Sequence, residues 1–437
     1  MLQYARHYLP RFAVRRLGSM AGKQKIIVVT GTTGVGKTAL GILLAKQFKG
    51  EIINADAMQY YTGLPIATNK ALSEVETQGV PHHLLNTEPS PTVPFLGSGA
   101  EQRNEKMGLD VRHWVKACDE LIAQLAQRDR LPIIVGGTNY WTNALLWRTI
   151  GSETSSTDAS RESFAEEANT DAYERLKEVD PESAKVIHPN DHRKVKRALA
   201  IFDERGQTMS DLIKTQSNEP VYDALILQPY LEKDVLDPML RDRVDEMMQR
   251  GLLEEILQFR GQVPFTPDFG KGIWQAIGCK EFEPYYQRVE AKDEQCLAAC
   301  VEQVKINTVR YAIKQLRWIR HSLQPLCRSI TLAESPACFT SWSRQPYFFV
   351  FPKKEIQTLP SMVEQFLTTK RVKDAPDSPT QRYTKALSQR EMRFCDVCQR
   401  TIQGADTFQQ HIRGRSHRRR KRGNGSRQKM TEDVIET

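Results

Sequence analysis

Four apolar positions in succession, Ile26 to Val29, run into Thr30 and a glycine-rich stretch, after which apolar residues return at helical spacing from about Lys37 to Phe48. The short continuous run reads as a strand and the periodic one as a helix. A second short strand, Glu51 to Asn54, follows at once. Val111 to Gln127 has a helical period, and Leu131 to Val135 reads as another strand ending in Gly136-Gly137-Thr138. Strands alternating with helices predict an α/β fold on a parallel sheet, with ligands at the carboxyl ends of the strands.

Further along, the pattern changes. Residues 151–170, rich in Ser, Thr, Glu and Asp, read as a surface loop, and helices follow at about 171–187 and 191–205, which together suggest a helical insertion. Asp237-Pro238 resembles a cap with Pro at the first helical position, opening a helix through Arg250. A long helix is expected from about Glu294 to His321. Beyond residue 360 the chain turns polar, and Lys370, Arg371, Lys373, Pro376 and Pro379 read as a linker. No apolar run approaches the roughly 20 residues that cross a bilayer, so no membrane segment is expected.

Charge refines this picture. The formal net charge is +9, unevenly placed: residues 1–23 hold Arg6, Arg11, Arg15, Arg16 and Lys23 with no acid, and Cys395 to Lys429 carries ten Lys or Arg against Asp396 and Asp406. The first segment, residues 1–22, looks like a mitochondrial targeting leader. Met20 offers a second start, so mitochondrial and cytoplasmic forms are expected, and the Arg418 to Arg422 run reads equally as a nuclear signal or a phosphate contact. A basic tail suits a polyanion such as RNA. Eight cysteines in 437 residues do not make a disulfide scaffold.

The chemistry begins at the first turn. Gly31-Thr32-Thr33-Gly34-Val35-Gly36-Lys37-Thr38 fits G-x-x-x-x-G-K-[ST] between a strand and a helix. Its backbone amides would curl around a polyphosphate, with Lys37 on the terminal phosphate and Thr38 on Mg²⁺. The motif does not separate a nucleoside triphosphate from another diphosphate. Asp56, in Asn54-Ala55-Asp56-Ala57-Met58-Gln59, falls at the sheet edge, where a carboxylate can hold Mg²⁺, act as a base, or simply cap a helix. His82 and His83 are adjacent and lack nearby ligands, so they read as structural.

These segments occur together with Gly79-Val80-Pro81-His82-His83-Leu84, Arg241-Asp242-Arg243-Val244-Asp245-Glu246-Met247, Gln275-Ala276-Ile277-Gly278, and Thr308 with Tyr311-Ala312. In this order, over about residues 25–320, they resemble the tRNA dimethylallyltransferases, also called tRNA isopentenyltransferases. The resemblance implies a P-loop NTPase-like parallel sheet core with a helical insertion. It implies dimethylallyl diphosphate as donor in the 31–38 loop, N6 of adenosine 37 in the tRNA anticodon stem-loop as acceptor, Asp56 as general base and Arg243 as a further cation. Thr33 fits a donor-contacting position, and Ala57, Met58, Gln59 and Thr138 fit positions on the tRNA. The family usually has more basic residues where Val309 and Ile313 stand, and a Tyr in place of Cys279. A monomer is expected. Two other classes fit parts of the sequence: a nucleotide kinase or ATPase, and an RNA-binding protein with a degenerate enzyme body.

Two helices carry basic stripes. In 191–205, Val195, Ala198, Leu199 and Phe202 share one face and Arg193, Lys196 and Arg197 the other; in the long helix, Arg310, Lys314 and Arg317 lie opposite Thr308, Ala312 and Gln315. Both read as phosphate contacts in an RNA enzyme or as solvated faces. Finally, Cys395-x₂-Cys398-x₁₂-His411-x₅-His417 has the spacing of a structural Zn²⁺ site, with Phe394, Phe408 and Ile412 as its small core and Arg413, Arg415 and Arg418 to Arg422 as a basic flank. It resembles U1- or matrin-type fingers, as eukaryotic members of the family carry. The expected organisation is a leader at 1–22, a core at 23–330 with its insertion at about 143–220, a tail and linker at 331–390, and the finger at 391–425.

Overall fold

The computed structural model describes residues 23–87, 111–148, 169–215, 219–289, 293–330, 345–369, 392–418 and 420. The leader, most of the 151–170 loop, the 371–390 linker, and Arg419, Lys421 and Arg422 lie outside the described residues.

Seven strands form one all-parallel sheet: β1 (Lys25–Val29), β2 (Gly50–Asn54), β3 (His82–His83), β4 (Leu131–Val135), β5 (Asp223–Tyr230), β6 (Arg328–Ile330) and β7 (Tyr347–Pro352), in the order β3-β2-β4-β1-β5-β7-β6. The uninterrupted apolar runs follow from burial on both faces, as parallel sheets require. Ile26, Val28, Ile134, Ile226 and Phe348 pack on one side with Trp114, Trp141 and Leu145. Ile27, Val29, Ile133, Leu227, Phe349 and Phe351 pack on the other with Leu40, Leu44 and Met362. The expected helices Lys37–Phe48 and Val111–Gln127 are present.

Several boundaries differ from the sequence reading. The sheet does not end at 330: β7 inserts between β5 and β6, and Leu359–Thr368 covers it as a helix. The aromatic run Tyr347-Phe348-Phe349-Val350-Phe351 feeds both core faces, which a tail assignment overlooks. The Pro238 helix starts earlier, at Lys233, and Pro238 lies inside it past the first turn, so the helix forgoes the bond an N–H there would donate to Asp234 O. The first insertion helix is broken in two, Asn169–Val179 and Pro181–Val186. Asp180 makes the break. Only 2% exposed, it accepts from Ser183 N at 3.0 Å and from Ser210 N at 2.9 Å, a local alternative to helical bonding. In His192–Arg205 it is Ile201 that is buried with Val195, Ala198 and Leu199, while Phe202 is half-buried. The long helix runs Glu294–Trp318 and widens into a π turn at Ile319–Leu323.

A third cluster joins the Lys233–Gln249, Leu252–Arg260 and Glu294–Trp318 helices through Val244, Ile256, Phe259, Trp274, Phe282 and Val304. Within it Arg260 and Glu283 form a two-pronged ion pair at 2.7 and 3.0 Å, with the guanidinium 4.4 Å from the Tyr286 ring centroid. Glu283→Ala strands the buried guanidinium, and a loss of about 3–5 kcal/mol is expected. A denaturation midpoint matching wild type would show the pair to be energetically idle.

Candidate active site at the carboxyl edge of the sheet

The loop after β1 takes its shape from three glycines at positive φ, Gly31, Gly34 and Gly36. At Gly34 a Cβ would approach Leu240 Cδ2 to 2.6 Å, because the Lys233–Gln249 helix packs directly on the loop. Val35 anchors the underside against Leu236, Leu240 and Ala312. Lys37 opens the following helix and folds back, donating to Gly31 O at 3.1 Å and Thr32 O at 2.8 Å. Burial lowers its pKa to about 8, against the opposing pull of the Asp56 carboxylate.

Asp56 ends the segment after β2. Its backbone N–H donates to Asn54 Oδ1 at 3.0 Å, and its Oδ1 accepts from Met58 N at 3.1 Å, so it caps the one-turn helix Ala57–Tyr60. Capping and the expected site position therefore coexist, because the second oxygen is left for other work. A Cβ on Gly137 would lie 3.4 Å from that Oδ2. Burial raises the Asp56 pKa above the usual carboxylate range, while Lys37 and the amides of Met58 and Gln59 pull it back. The Gly136-Gly137-Thr138 turn supports this segment closely: a Cβ on Gly136 would sit 2.1 Å from the Ala55 carbonyl, which only glycine permits. Thr138 Oγ1 accepts from Ala57 N at 2.9 Å. Its hydroxyl thus positions the Asp56 segment.

Arg243 meets the same loop, with Nη1 donating to Thr33 Oγ1 at 3.2 Å. Asp245, two residues on, pairs with Lys305. The structure thus brings Thr33, Lys37, Asp56 and Arg243 together. Thr38 is half-buried on the first helical turn and offers a hard hydroxyl donor of the kind Mg²⁺ accepts beside phosphate oxygens. Met58 packs toward the third core cluster, and Gln59 Nε2 donates to Thr68 O and Asn69 O.

Two residues were missed as site members. Gln315, 5% exposed, accepts from Thr33 N at 2.8 Å and donates from Nε2 to Gly137 O at 3.2 Å, tying the glycine-rich loop to the turn beside Asp56. Tyr311, one turn earlier, lies beside Gln315, and burial and the Asp56 charge push its phenol upward. The available signal was a glutamine on the apolar side of a helix, since buried amides need partners. Lys70 was also unforeseen: 3% exposed, it donates to Tyr61 O, Gly63 O and Asn86 Oδ1 and braces the segment after Asp56.

The basic stripes lie outside this cluster. Arg310, Lys314 and Arg317 are exposed along the Glu294–Trp318 helix. In the insertion, Arg193 is exposed, and Lys196 and Arg197 are half-buried. His83 pairs with Glu51 at 2.7 Å and His82 bonds Val80 O, as structural residues do.

In the C-terminal finger, the hairpin Met392–Cys395 and Arg400–Gln403 brings Cys395 and Cys398 toward the Ala405–Arg413 helix. The ligand atoms of Cys395, Cys398, His411 and His417 all lie within 4.8 Å of one another. A tetrahedral Zn²⁺ with bonds of about 2.3 Å to sulfur and 2.0 Å to nitrogen spaces its ligands about 3.3–3.5 Å apart where nitrogen is involved. Here His411 Nε2 and His417 Nδ1 are 3.3 Å apart, and the sulfurs lie 3.4 and 3.5 Å from Nδ1. The four side chains fit zinc. Phe408 and Ile412 are half-buried as expected of the finger's core, but Phe394 is 52% exposed. Strand alternation explains this, since neighbouring Cys395 must point inward.

With this geometry in view, comparisons give a consistent answer. A family model described as IPP transferase matches residues 59–322, some three-fifths of the chain. This chain belongs to the IPP transferase family. A second model, a zinc-finger of C2H2 type, matches residues 393–417. The tRNA dimethylallyltransferase of Saccharomyces cerevisiae is 35% identical over 315 residues, covering 70% of each protein. That of Homo sapiens is 31% identical over 440 residues, covering 94% of this chain and 88% of its own. A solved eukaryotic dimethylallyltransferase acting on tRNA superposes with a TM-score of 0.70 at 29% identity, covering 94% of this chain and 100% of that one.

For this family member Gln315→Leu keeps the volume but leaves Thr33 N and Gly137 O without their partner, so a loss of about 1–3 kcal/mol is expected. Gln315→Glu, which can still accept from Thr33 N but cannot donate to Gly137 O while ionised and buries a charge near Asp56, should lose at least as much. Equal melting of wild type and Gln315→Leu would mean that water replaces the bridge.

Proposed function

We propose that the chain transfers the dimethylallyl group of dimethylallyl diphosphate to N6 of adenosine 37 in tRNA, releasing diphosphate. The observation that carries this is the convergence of one carboxylate, Asp56, with two cations, Lys37 and Arg243, around a glycine-rich loop, in a relative of named tRNA dimethylallyltransferases.

The geometry supplies each part of such a transfer. The loop amides and the N-terminus of the Lys37–Phe48 helix favour a diphosphate. Mg²⁺ held through Thr38 would neutralise part of the donor's charge. An exocyclic adenine amine is a weak nucleophile, and Asp56 Oδ2 takes its proton as the nitrogen bonds to the allylic carbon. The carbon–oxygen bond to diphosphate breaks in the same displacement, and Lys37 and Arg243 stabilise the charge on the leaving group. The adenine must first leave the anticodon-loop stack, which phosphate contacts along the basic faces would support.

Asp56→Asn should lower turnover by about 10²- to 10⁴-fold while changing donor affinity far less. Activity should fall with acid through an Asp56 pKa above the usual carboxylate range, because the base must be ionised. It should weaken again with alkali as the Lys37 pKa, near 8 before the donor binds, is passed and a cation is lost. Mass spectrometry of tRNA nucleosides reads the product, and near-wild-type turnover in Asp56→Asn would remove the residue as base.

The finger lies after the family-matched region and carries the basic C-terminal stretch. We infer that it holds tRNA phosphates rather than the reacting atoms. Removing residues 391–437, or Zn²⁺ by chelation, should raise the apparent KM for tRNA and flatten its salt dependence with little change in kcat. An unchanged KM at every salt concentration would exclude a tRNA-holding role.

A further inference from the structure

A second ammonium stands at the glycine-rich loop, and it comes from beyond the family-matched residues. Along β7, Phe348 packs on one face of the sheet, and Phe349 and Phe351 pack on the other, with Leu40 and Leu44 of the Lys37–Phe48 helix. Lys353 opens the 3-10 turn Lys353–Thr358 directly after the strand. It leaves the sheet at its carboxyl edge, two strands from β1 in the order β1-β5-β7. The result is a close approach: a Cβ on Gly36 would lie 3.4 Å from Lys353 Cε and 3.6 Å from its Nζ.

That placement runs against ordinary helix electrostatics. The N-terminus of a helix carries partial positive charge and disfavours a cation. Lys37 already occupies this end, and Arg243 reaches the same loop through Thr33. No ion pair among the described residues takes up the Lys353 charge. In the same loop Thr32, 5% exposed, has a buried hydroxyl without a hydrogen-bond partner. Positive charge gathered around unused donors is stabilised by a multiply charged anion, and local rules are broken in this way at functional sites.

We propose that Lys353 is a third cation of the diphosphate cradle, binding the donor's diphosphate and the released product. This rests on the transfer reading above. It also gives the β7 segment, which the sequence alone assigns to a tail, a direct part in ligand binding.

The test titrates inorganic pyrophosphate with Mg²⁺ into the full chain by calorimetry. Lys353→Gln should weaken Kd about five- to tenfold at low salt, with the difference shrinking as salt is raised. Lys353→Arg should stay within about twofold of wild type, and Lys354→Gln, an exposed neighbour, should match it. Melting temperatures for all variants check that the sheet edge is intact. An unchanged Kd for Lys353→Gln at low salt would overturn the proposal, as would an equal loss in Lys354→Gln, which would reveal only a general field. Nucleoside analysis of tRNA treated with the wild-type chain separates the two readings. Pyrophosphate binding without prenylated product would remove the transfer reading and leave Lys353 in place, whereas no pyrophosphate binding at all would remove both.

Discussion

The candidate site at the carboxyl edge of the sheet depends on keeping a carboxylate and two cations charged and close together without letting them collapse into one ion pair. A buried pair of that kind would satisfy itself and leave little for a ligand. The structure avoids this by giving each group a neutral polar partner, backbone for Lys37 and Asp56 and a hydroxyl for Arg243. Lys37 donates to the carbonyls of Gly31 and Thr32, and Asp56 accepts from the amide of Met58. Arg243 is held by the hydroxyl of Thr33. Lys37 and Asp56 are positioned by backbone groups that cannot move away, and preorganisation of that sort is what electrostatic catalysis requires.

Rigid backbone is needed to hold those partners, and the sheet provides it. The glycine-rich loop follows β1, the Asp56 segment follows β2, and the Gly136-Gly137-Thr138 turn follows β4; β4 lies between β2 and β1 in the sheet. Parallel pairing brings all three ends to one edge. The turns are then cross-linked, since Thr138 holds Ala57 and Gln315 joins Thr33 to Gly137. Gln315 belongs to a helix some 280 residues after the loop, within hydrogen-bonding distance of Thr33. Loss of packing between that helix and the loop would therefore disturb both halves of the site.

Much of this was legible in the sequence because the governing patterns are local. A strand, a glycine-rich turn and a helix follow one another within Lys25 to Phe48, and the zinc ligands span Cys395 to His417. The helix boundaries of Val111–Gln127 were equally clear from period alone. What was not legible depends on distant partners. Gln315, Tyr311 and Lys70 gain meaning only when the fold supplies a carbonyl, an amide or a carboxylate opposite them. β7 was hidden by the polar chain after it, although its aromatic run fits a strand buried on both faces. The split at Asp180 differs in kind, since Asp180 caps Ser183 N with Pro181 at the first helical position, which is a local signal.

The two departures from the family's usual basic residues on the long helix have different physical meanings. Val309 packs against the apolar anchor of the glycine-rich loop, beside Val35, Leu236 and Ala312. A cation there would have to be desolvated or bend outward, so valine exchanges a charge for a firmer seat under the loop. Ile313 is 43% exposed and lies between Arg310 and Lys314 on the outer side of the same helix. An exposed isoleucine carries no charge, so the positive charge of that face rests on Arg310, Lys314 and Arg317. Cys279, at 3% exposure within the third cluster, replaces an aromatic position by a smaller apolar side chain. Its thiol is pushed above its ordinary range by burial, which makes it a packing residue and not a nucleophile. The departures thus change how the loop is seated and how much charge the outer face of the helix carries, while the carboxylate and the cations of the site keep their partners.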